Sequence, residues 1–281
     1  MRPSHLIAAL LLGAALLGQP ALAQSTLERI RETHAVKVAI AGEEPYGYRG
    51  PDGEVTGEAP AIARAVLEQI DPEIAIEWVE VEFGQLIPGL QVGEFDIAAA
   101  GMFITPERCQ AVAFSQPTYV VGEAFAVKQG NPKNLTSYVV ISDHPDARVG
   151  LIAGTVEYNY ALVTGIPADR APLYRNFDKA IEALKAGEVD AVGLTTLSAQ
   201  ALVDGAPELA ATPQFFPTLD GVEVKGYGGF AFRQDDQELR AAFDAELGKL
   251  LGSDAHWALV ERFGFRPDMA PDKTTAELCQ S

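Results

Sequence analysis

Apolar and polar positions along the chain alternate between two periods, one typical of strands and one of helices. In the first part, residues 34–40 and 74–81 have strand patterns, and residues 58–70 between them have apolar positions at helical spacing. A short helix is predicted over 83–93 and a buried strand over 95–100. This β-α-β-α-β order predicts a parallel sheet with helices on both faces.

The same alternation continues through the second part of the chain. Strand patterns are at 123–128, 147–152, 189–192 and 226–232, and helical patterns at 155–164, 179–186, 237–251 and 256–263. We expect the strand at 226–232 to return to the first sheet. The predicted fold is therefore α/β with two lobes, each a mostly parallel sheet flanked by helices, joined by two hinge strands. The expected lobes are residues 24–126 with 226–281, and residues 127–225.

Residues 1–23 have the pattern of a secretory signal. Arg2 gives a basic start, residues 6–17 form an apolar run without acidic residues, and Ala21-Leu22-Ala23 is an A-x-A cleavage site. The run is shorter than the roughly 20 residues of a membrane span. We therefore expect a soluble periplasmic protein that begins at about Gln24.

The two cysteines, Cys109 and Cys279, allow one intramolecular pairing. Two unrelated thiols are the alternative, but export to an oxidising compartment favours a disulfide. The bond would tie the C-terminal tail to the segment around Arg108.

Charge and composition narrow the classes of partner. The formal net charge is −18, and removal of Arg2 with the signal makes it −19, which argues against nucleic acid and anionic lipid. The four histidines are scattered, so no metal-ligand spacing is visible and we expect neither metal nor cofactor. The length is large for one core, which again favours two lobes.

Candidate binding chemistry follows three successive strands of the first lobe. Glu43 and Tyr46 follow the first strand, Phe83 the second, and Phe103 and Arg108 the third. Ligands of α/β sheets bind outside the carboxyl ends of the strands. Each aromatic residue alone is more typical of a core, but together with a carboxylate they suit a delocalised cation. An arginine suits a carboxylate, so the predicted ligand is a small zwitterion.

Two helix starts complete this candidate site. Arg108 lies in the first turn of a helix that opens at Thr105-Pro106, and its alternative partners are structural acids such as Glu107 or Glu82. In the second lobe, Gly154-Thr155 follows a strand, and the free N–H groups of the next helix suit a carboxylate. An ordinary capped helix is the alternative there.

The segment from Thr105 to Pro117 has the pattern T-x-E-R-x(5)-F-S-x-P. It resembles periplasmic solute-binding proteins of the polar-amino-acid type, family 3, which have the type II fold with two crossings. In that family the arginine holds the ligand carboxylate. Binders of α-amino acids usually have D-A-V-x-x-D, whose last Asp binds the α-ammonium group. Here Thr195 takes that position, which argues against an ordinary amino acid.

A closer resemblance is to the ectoine/hydroxyectoine-binding proteins of ABC importers. It rests mainly on residues 83–90 and 106–109, with support from 40–46, 100–103, 130–132 and 273–279. The resemblance implies the following contacts: Glu43 with the ring N–H groups, Tyr46, Phe83 and Phe103 around the cation, Arg108 with the carboxylate, and Thr155 from the second lobe. The chain departs from the family where Tyr46 and Phe83 exchange Phe and Tyr. It departs again at Val156, which replaces an acid, with Glu157 next to it.

Other functions remain open alternatives. The first alternative keeps a binding protein but changes its ligand to another cyclic or quaternary ammonium zwitterion, or to a polar or modified amino acid. A dehydratase acting on prephenate-like acids is a second class, with Glu157 as general acid, but it needs more cationic groups than Arg108 alone. A receptor's sensing domain needs a membrane span. We expect a monomeric, non-enzymatic binding protein whose protein partner is the permease of an ABC importer.

Overall fold

A computed structural model describes residues 24–219 and 221–280, so the predicted signal at 1–23 lies outside the described residues. The α-helices are α1 Thr26–Thr33, α2 Glu58–Ile70, α3 Leu86–Val92, α4 Pro106–Ala111, α5 Tyr138–Asp143, α6 Val156–Val163, α7 Phe177–Ala186, α8 Thr196–Asp204, α9 Gln237–Leu250, α10 Asp254–Val260 and α11 Thr275–Leu278. The strands are β1 Ala35–Ile40, β2 Tyr48–Arg49, β3 Val55–Thr56, β4 Ala75–Glu80, β5 Ile97–Ala98, β6 Ala113–Phe114, β7 Tyr119–Val121, β8 Glu123–Lys128, β9 Val149–Ile152, β10 Leu173–Tyr174, β11 Ala191–Thr195, β12 Leu209–Ala211, β13 Thr218–Leu219, β14 Val222–Glu223, β15 Gly226–Gly228 and β16 Ala231–Phe232. Short 3-10 helices cover Phe83–Gln85, Ala168–Arg170, Glu261–Phe263 and Pro267–Met269.

Two five-stranded sheets form the two lobes. The first has the order β4-β1-β5-β16-β6, and the second β10-β9-β11-β8-β12. In each sheet the first three strands are parallel and the fourth is antiparallel to both neighbours. The predicted two-lobed α/β fold is confirmed, because β16 returns to the first sheet after the chain has built the second. The carboxyl ends of β1, β4, β5, β9 and β11 are followed by the segments that form the cleft.

A short ladder joins the lobes. β7 pairs antiparallel with β15, with Val121 opposite Gly226 and Tyr119 opposite Gly228. All of β8 belongs to the second sheet, so the chain enters that sheet at Glu123, before the expected boundary at 126/127. The strand expected over 226–232 is two strands, because Gly229 and Phe230 separate the hinge strand β15 from β16 in the first sheet.

Several predicted elements differ at their ends. The strand expected over 95–100 is paired only at Ile97–Ala98, and the helix expected over 83–93 begins with a 3-10 turn. His34, predicted in the first strand, instead ends α1 with a left-handed φ of 52°. The polar helix α1 and helix α8 were not predicted, because neither has a long apolar stripe.

The core of the first lobe is continuous with Tyr119 and Val121 of the hinge strand β7. Ile62 and Leu67 of α2 pack in one apolar cluster with Val38, Phe243 and Phe265. The tail is held by the predicted disulfide between Cys109 and Cys279, which the structure contains. In the part of the chain described, no helix has the length and hydropathy needed to cross a membrane.

Candidate ligand-binding cleft

The predicted site residues, all but Tyr46, meet in one cleft where the two lobes touch. The lobes are closed on each other, and the space left between these side chains is about 10 Å³. The lining residues are Glu43, Phe83, Gly101, Phe103, Arg108, Thr155, Val156, Glu157 and Thr195. The structure thus brings eight of the nine predicted site residues together and adds Gly101 to the lining.

Arg108 is fixed at the floor of the cleft by backbone carbonyls. Its Nη1 donates to Phe103 O at 2.7 Å, and its Nη2 donates across the cleft to Gly154 O at 2.9 Å. The guanidinium carbon also lies 5.5 Å from the centre of the Phe83 ring. Of the alternative acids, Glu82 pairs instead with Arg175 at 3.7 Å. A guanidinium has five N–H donors, so Arg108 keeps donors for a ligand carboxylate.

The helix of Arg108 begins as its sequence predicts. The Thr105 hydroxyl accepts a hydrogen bond from Arg108 N at 3.2 Å, and Pro106 occupies the first turn. Cys109, the next residue, carries the disulfide to the tail. The backbone around Arg108 is thus restrained by a cap on one side and a covalent bond on the other.

A chain of buried hydrogen bonds crosses between the lobes beside the cleft. The Tyr46 hydroxyl donates to Thr195 Oγ1 at 2.9 Å, and Ser198 Oγ donates to Glu43 Oε1 at 2.7 Å. Thr195 also caps α8 by accepting from Ser198 N at 3.2 Å. Glu43 and Tyr46 belong to the first lobe, whereas Thr195 and Ser198 belong to the second. These bonds therefore form only when the lobes are together.

Tyr46 lies behind the cleft, which differs from the wall position expected for it. Its side chain is fully buried, and its ring packs against Tyr119 and Phe265 with centroids 5.2 and 5.6 Å away. Gly101, which lines the cleft and has a φ of 68°, packs directly on this ring, and a Cβ there would come within 2.5 Å of Tyr46. Phe103 and Phe83 remain as aromatic lining residues, 4% and 6% exposed.

The second lobe contributes the start of α6. Thr155 is the N-cap residue, as predicted, but its hydroxyl donates to Ile152 O at 3.0 Å and does not cap the helix. Gly154 has a φ of 86°, and a Cβ there would lie 2.6 Å from Gly84 Cα of the first lobe. Only glycine permits this close approach of the two backbones. Val156 and Glu157 follow and line the cleft.

The electrostatics of the cleft are dominated by buried acids. Burial raises the pKa of Glu43 to about 8, although the Ser198 hydrogen bond opposes this. Burial likewise raises the pKa of Glu157, and lowers that of Arg108. Among the lining residues described, Arg108 is the sole basic side chain. The cleft therefore favours a ligand that brings both a carboxylate and a cation.

Two polar groups next to the cleft were not predicted from the sequence. Ser198 lies three residues after Thr195, and Glu123 opens β8 opposite Thr195 in the ladder. Neither has a motif that marks it as a site residue. The spacing of Thr195 and Ser198, which is that of an N-cap and its third helical residue, is the one available signal.

Comparison with known proteins agrees with this architecture. Residues 36–265 match the family described as bacterial extracellular solute-binding proteins, family 3. A probable amino-acid ABC transporter periplasmic-binding protein of Sinorhizobium fredii is 36% identical over 262 residues, which cover 91% of this chain and 86% of that protein. An L-arginine-binding protein of Pseudomonas aeruginosa is 29% identical over 255 residues, covering 89% and 95%.

Two solved structures extend the comparison. The crystal structure of EhuB in complex with hydroxyectoine superposes with a TM-score of 0.82 at 38% identity, covering 90% of this chain and 97% of EhuB. An ancestral amino-acid-binding protein, a precursor of cyclohexadienyl dehydratase, gives a TM-score of 0.74 at 25% identity, covering 85% and 99%. Both similarities span the two lobes.

Proposed function

We propose that this chain, which belongs to the bacterial extracellular solute-binding proteins of family 3, captures ectoine or 5-hydroxyectoine in its interlobe cleft. As a member of this family it is the solute-binding component of an ABC transporter. The observation that carries the ligand proposal is the meeting of Glu43, Phe83, Phe103 and Arg108 in one buried cleft. The similarity to the hydroxyectoine complex of EhuB supports it.

Each group of a cyclic amidinium carboxylate has a proposed partner. Arg108 holds the carboxylate with those N–H groups that do not donate to Phe103 O or Gly154 O. Glu43 accepts the ring N–H groups, and Phe83 and Phe103 face the delocalised cation. Thr155 and Val156 cover the ligand from the second lobe. Tyr46 acts from behind, because its bond to Thr195 helps to hold the lobes together.

Thr195 supports the choice of a ligand without an α-ammonium group. A threonine hydroxyl is uncharged, unlike the aspartate carboxylate that binds an α-ammonium, and this one already accepts hydrogen bonds from Tyr46 and from the backbone N–H of Ser198. An α-amino acid would have to rely on Glu43 or Glu157 instead. We therefore place the cyclic zwitterion before the standard amino acids.

Binding without chemistry is the proposed outcome in the cleft. The relatives are transport proteins, although one similar structure is a precursor of a dehydratase. A dehydratase for prephenate-like diacids would need cations for two carboxylates, and Arg108 is the sole basic side chain among the described lining residues. We propose a periplasmic monomer that delivers its ligand to a membrane permease.

Equilibrium dialysis with ectoine tests this function. We expect saturable binding of one ectoine per chain. NMR of the ectoine recovered after prolonged incubation should show that it is chemically unchanged. Absence of saturable binding of both ectoine and hydroxyectoine would contradict the ligand proposal. Conversion of prephenate by the same preparation would contradict the non-enzymatic proposal.

A further inference from the structure

The hydroxyl of Ser198 lies in the second lobe and has no role in the binding scheme above. Ser198 is the third residue of α8 and is fully buried. Its hydroxyl donates across the lobes to Glu43 Oε1 at 2.7 Å. A hydroxyl that donates to a carboxylate at this distance makes a charge-assisted hydrogen bond. Ser198 therefore acts directly on the group proposed to accept the ligand's cation.

The direction of the hydrogen bonds around Ser198 is fixed by their donors. The backbone N–H of Ser198 can only donate, and it donates to Thr195 Oγ1, which also accepts from the Tyr46 hydroxyl. The Thr195 hydroxyl then passes its own hydrogen to Ser198 Oγ, 3.3 Å away. Ser198 in turn donates to Glu43, because a hydroxyl has one hydrogen to give. Oε1 of Glu43 is thus an acceptor, as it is in the ionised carboxylate.

The start of α8 also favours a negative charge on Glu43. This helix has nine residues and no acidic residue in its first turn. The first turn of a helix carries a partial positive charge, which a nearby anion stabilises. Because Ser198 lies in that turn, its hydrogen bond brings the carboxyl group of Glu43 there from the other lobe. The second lobe thus supplies both a donor and a positive helix end to Glu43.

We propose that Ser198 is a positioning residue for ligand binding, whose hydroxyl keeps Glu43 ionised and fixed for the ligand's cation when the lobes are closed. This rests on the proposed function, because it takes Glu43 as the group that accepts the cation. Glu43 and Ser198 belong to different lobes, so closure of the lobes and ionisation of Glu43 are linked. A cationic ligand therefore gains from closure in a way that a neutral ligand of the same shape does not.

The pH dependence of binding follows from the charges around Glu43. Burial raises the pKa of Glu43 to about 8, although the Ser198 hydrogen bond opposes this. Without that hydroxyl the pKa rises further, and a bound cation must displace the Glu43 proton up to a higher pH. The other charged or titratable groups that face Glu43, all unchanged by a substitution at Ser198, are Arg108, Glu157, Glu123, Tyr46 and Tyr119.

Ser198→Ala tests the proposal, because it removes the hydroxyl without adding bulk. Calorimetry with ectoine on the exported protein should show an affinity about tenfold lower at pH 7, as expected for a lost hydrogen bond to a charged group. The pH at which the affinity reaches its plateau should also move upward. Ser198→Thr, which keeps a hydroxyl, should retain the natural pH profile even where its added methyl group lowers the affinity.

Tyr46→Phe is the matched control. It removes another hydrogen bond between the lobes, the one to Thr195, but leaves the bond from Ser198 to Glu43 in place. Its ectoine affinity should fall by the same factor at every pH. A merely structural role of Ser198 in holding the lobes together would give Ser198→Ala this same pH-independent loss.

A second measurement needs no ligand. Carbon-13 NMR of the side-chain carboxyl groups, with the Glu43 signal assigned from Glu43→Gln, follows the ionisation of Glu43 directly. We expect a higher pKa of Glu43 in Ser198→Ala than in the natural protein, and the natural value in Tyr46→Phe.

Three results would overturn the inference. They are equal pKa values of Glu43 in the natural protein and Ser198→Ala, a loss of ectoine affinity in Ser198→Ala that is the same at every pH, and an equal pKa shift in Tyr46→Phe. Failure of ectoine to bind to the natural protein, with the difference in the pKa of Glu43 intact, would instead contradict the proposed function alone.

Discussion

Replacement of Arg108 by lysine tests how the ligand carboxylate is held. In the structure the guanidinium donates to Phe103 O in its own lobe and to Gly154 O in the other lobe. Lysine keeps the positive charge but has a compact ammonium group, which cannot hold two carbonyls and also present a fork to a carboxylate. The variant therefore separates the effect of charge from that of geometry.

The expected loss follows from the hydrogen bonds involved. One charge-assisted hydrogen bond to a buried partner contributes about 1.5–3 kcal/mol. Loss of one arm of the fork should thus weaken ectoine binding about ten- to hundredfold, since 1.4 kcal/mol corresponds to about tenfold. Loss of the bond to Gly154 O adds to this, because that bond helps to hold the lobes together.

Isothermal titration calorimetry with ectoine measures the effect. Arg31→Lys is the matched control, because Arg31 is exposed on α1 and should leave the affinity unchanged. Thermal unfolding without ligand checks that both variants fold. An Arg108→Lys affinity within threefold of the natural protein would refute the assignment of Arg108 to the carboxylate.

Three further results are expected. Phe83→Ala should weaken ectoine binding about two- to thirtyfold, since a cation–π contact is worth about 0.5–2 kcal/mol and lost packing adds to it; an unchanged calorimetric affinity would remove this ring from the site. The Cys109→Ser, Cys279→Ser double variant should lose about 2–4 kcal/mol of unfolding free energy in denaturant titrations, because its unfolded chain is no longer cross-linked, and equal stability would contradict this. Burial raises the pKa of Glu43 to about 8, so below that pH a bound cation must displace the Glu43 proton. Removing this proton costs about 1.4 kcal/mol for each pH unit below the pKa. Ectoine affinity should therefore rise from pH 6 to 8, and Glu43→Gln should show a smaller slope; equal slopes would show that Glu43 is not the titrating group.

The sequence predicted the fold because its two periodicities are clear. The apolar runs of β1, β8 and β9 are strands where they were expected, and the chain returns to the first sheet at β16. Element ends were less predictable. Near Ile97 the strand itself is two residues long, shorter than the apolar run, although Asp96 N and Ala99 N also donate to Lys37 O and Ala39 O of β1.

The site was predictable where it follows strand ends, and less so where it depends on contact between lobes. Glu43, Phe83 and Arg108 could be placed from the ends of three parallel strands. The bond between Ser198 and Glu43 joins residues 155 positions apart, and no local pattern predicts it. Tyr46 shows the same limit, because a tyrosine at a strand end fits both a cleft wall and the layer behind it.

Calorimetry with a panel of candidate ligands shows which of them the cleft prefers. Ectoine, hydroxyectoine, proline betaine, glutamate and arginine are titrated into the same ligand-free preparation at one pH and one salt concentration. We expect ectoine or hydroxyectoine to bind most tightly, because each offers a ring cation to Glu43 and the aromatic faces and a carboxylate to Arg108. Tighter binding of glutamate or arginine would contradict it.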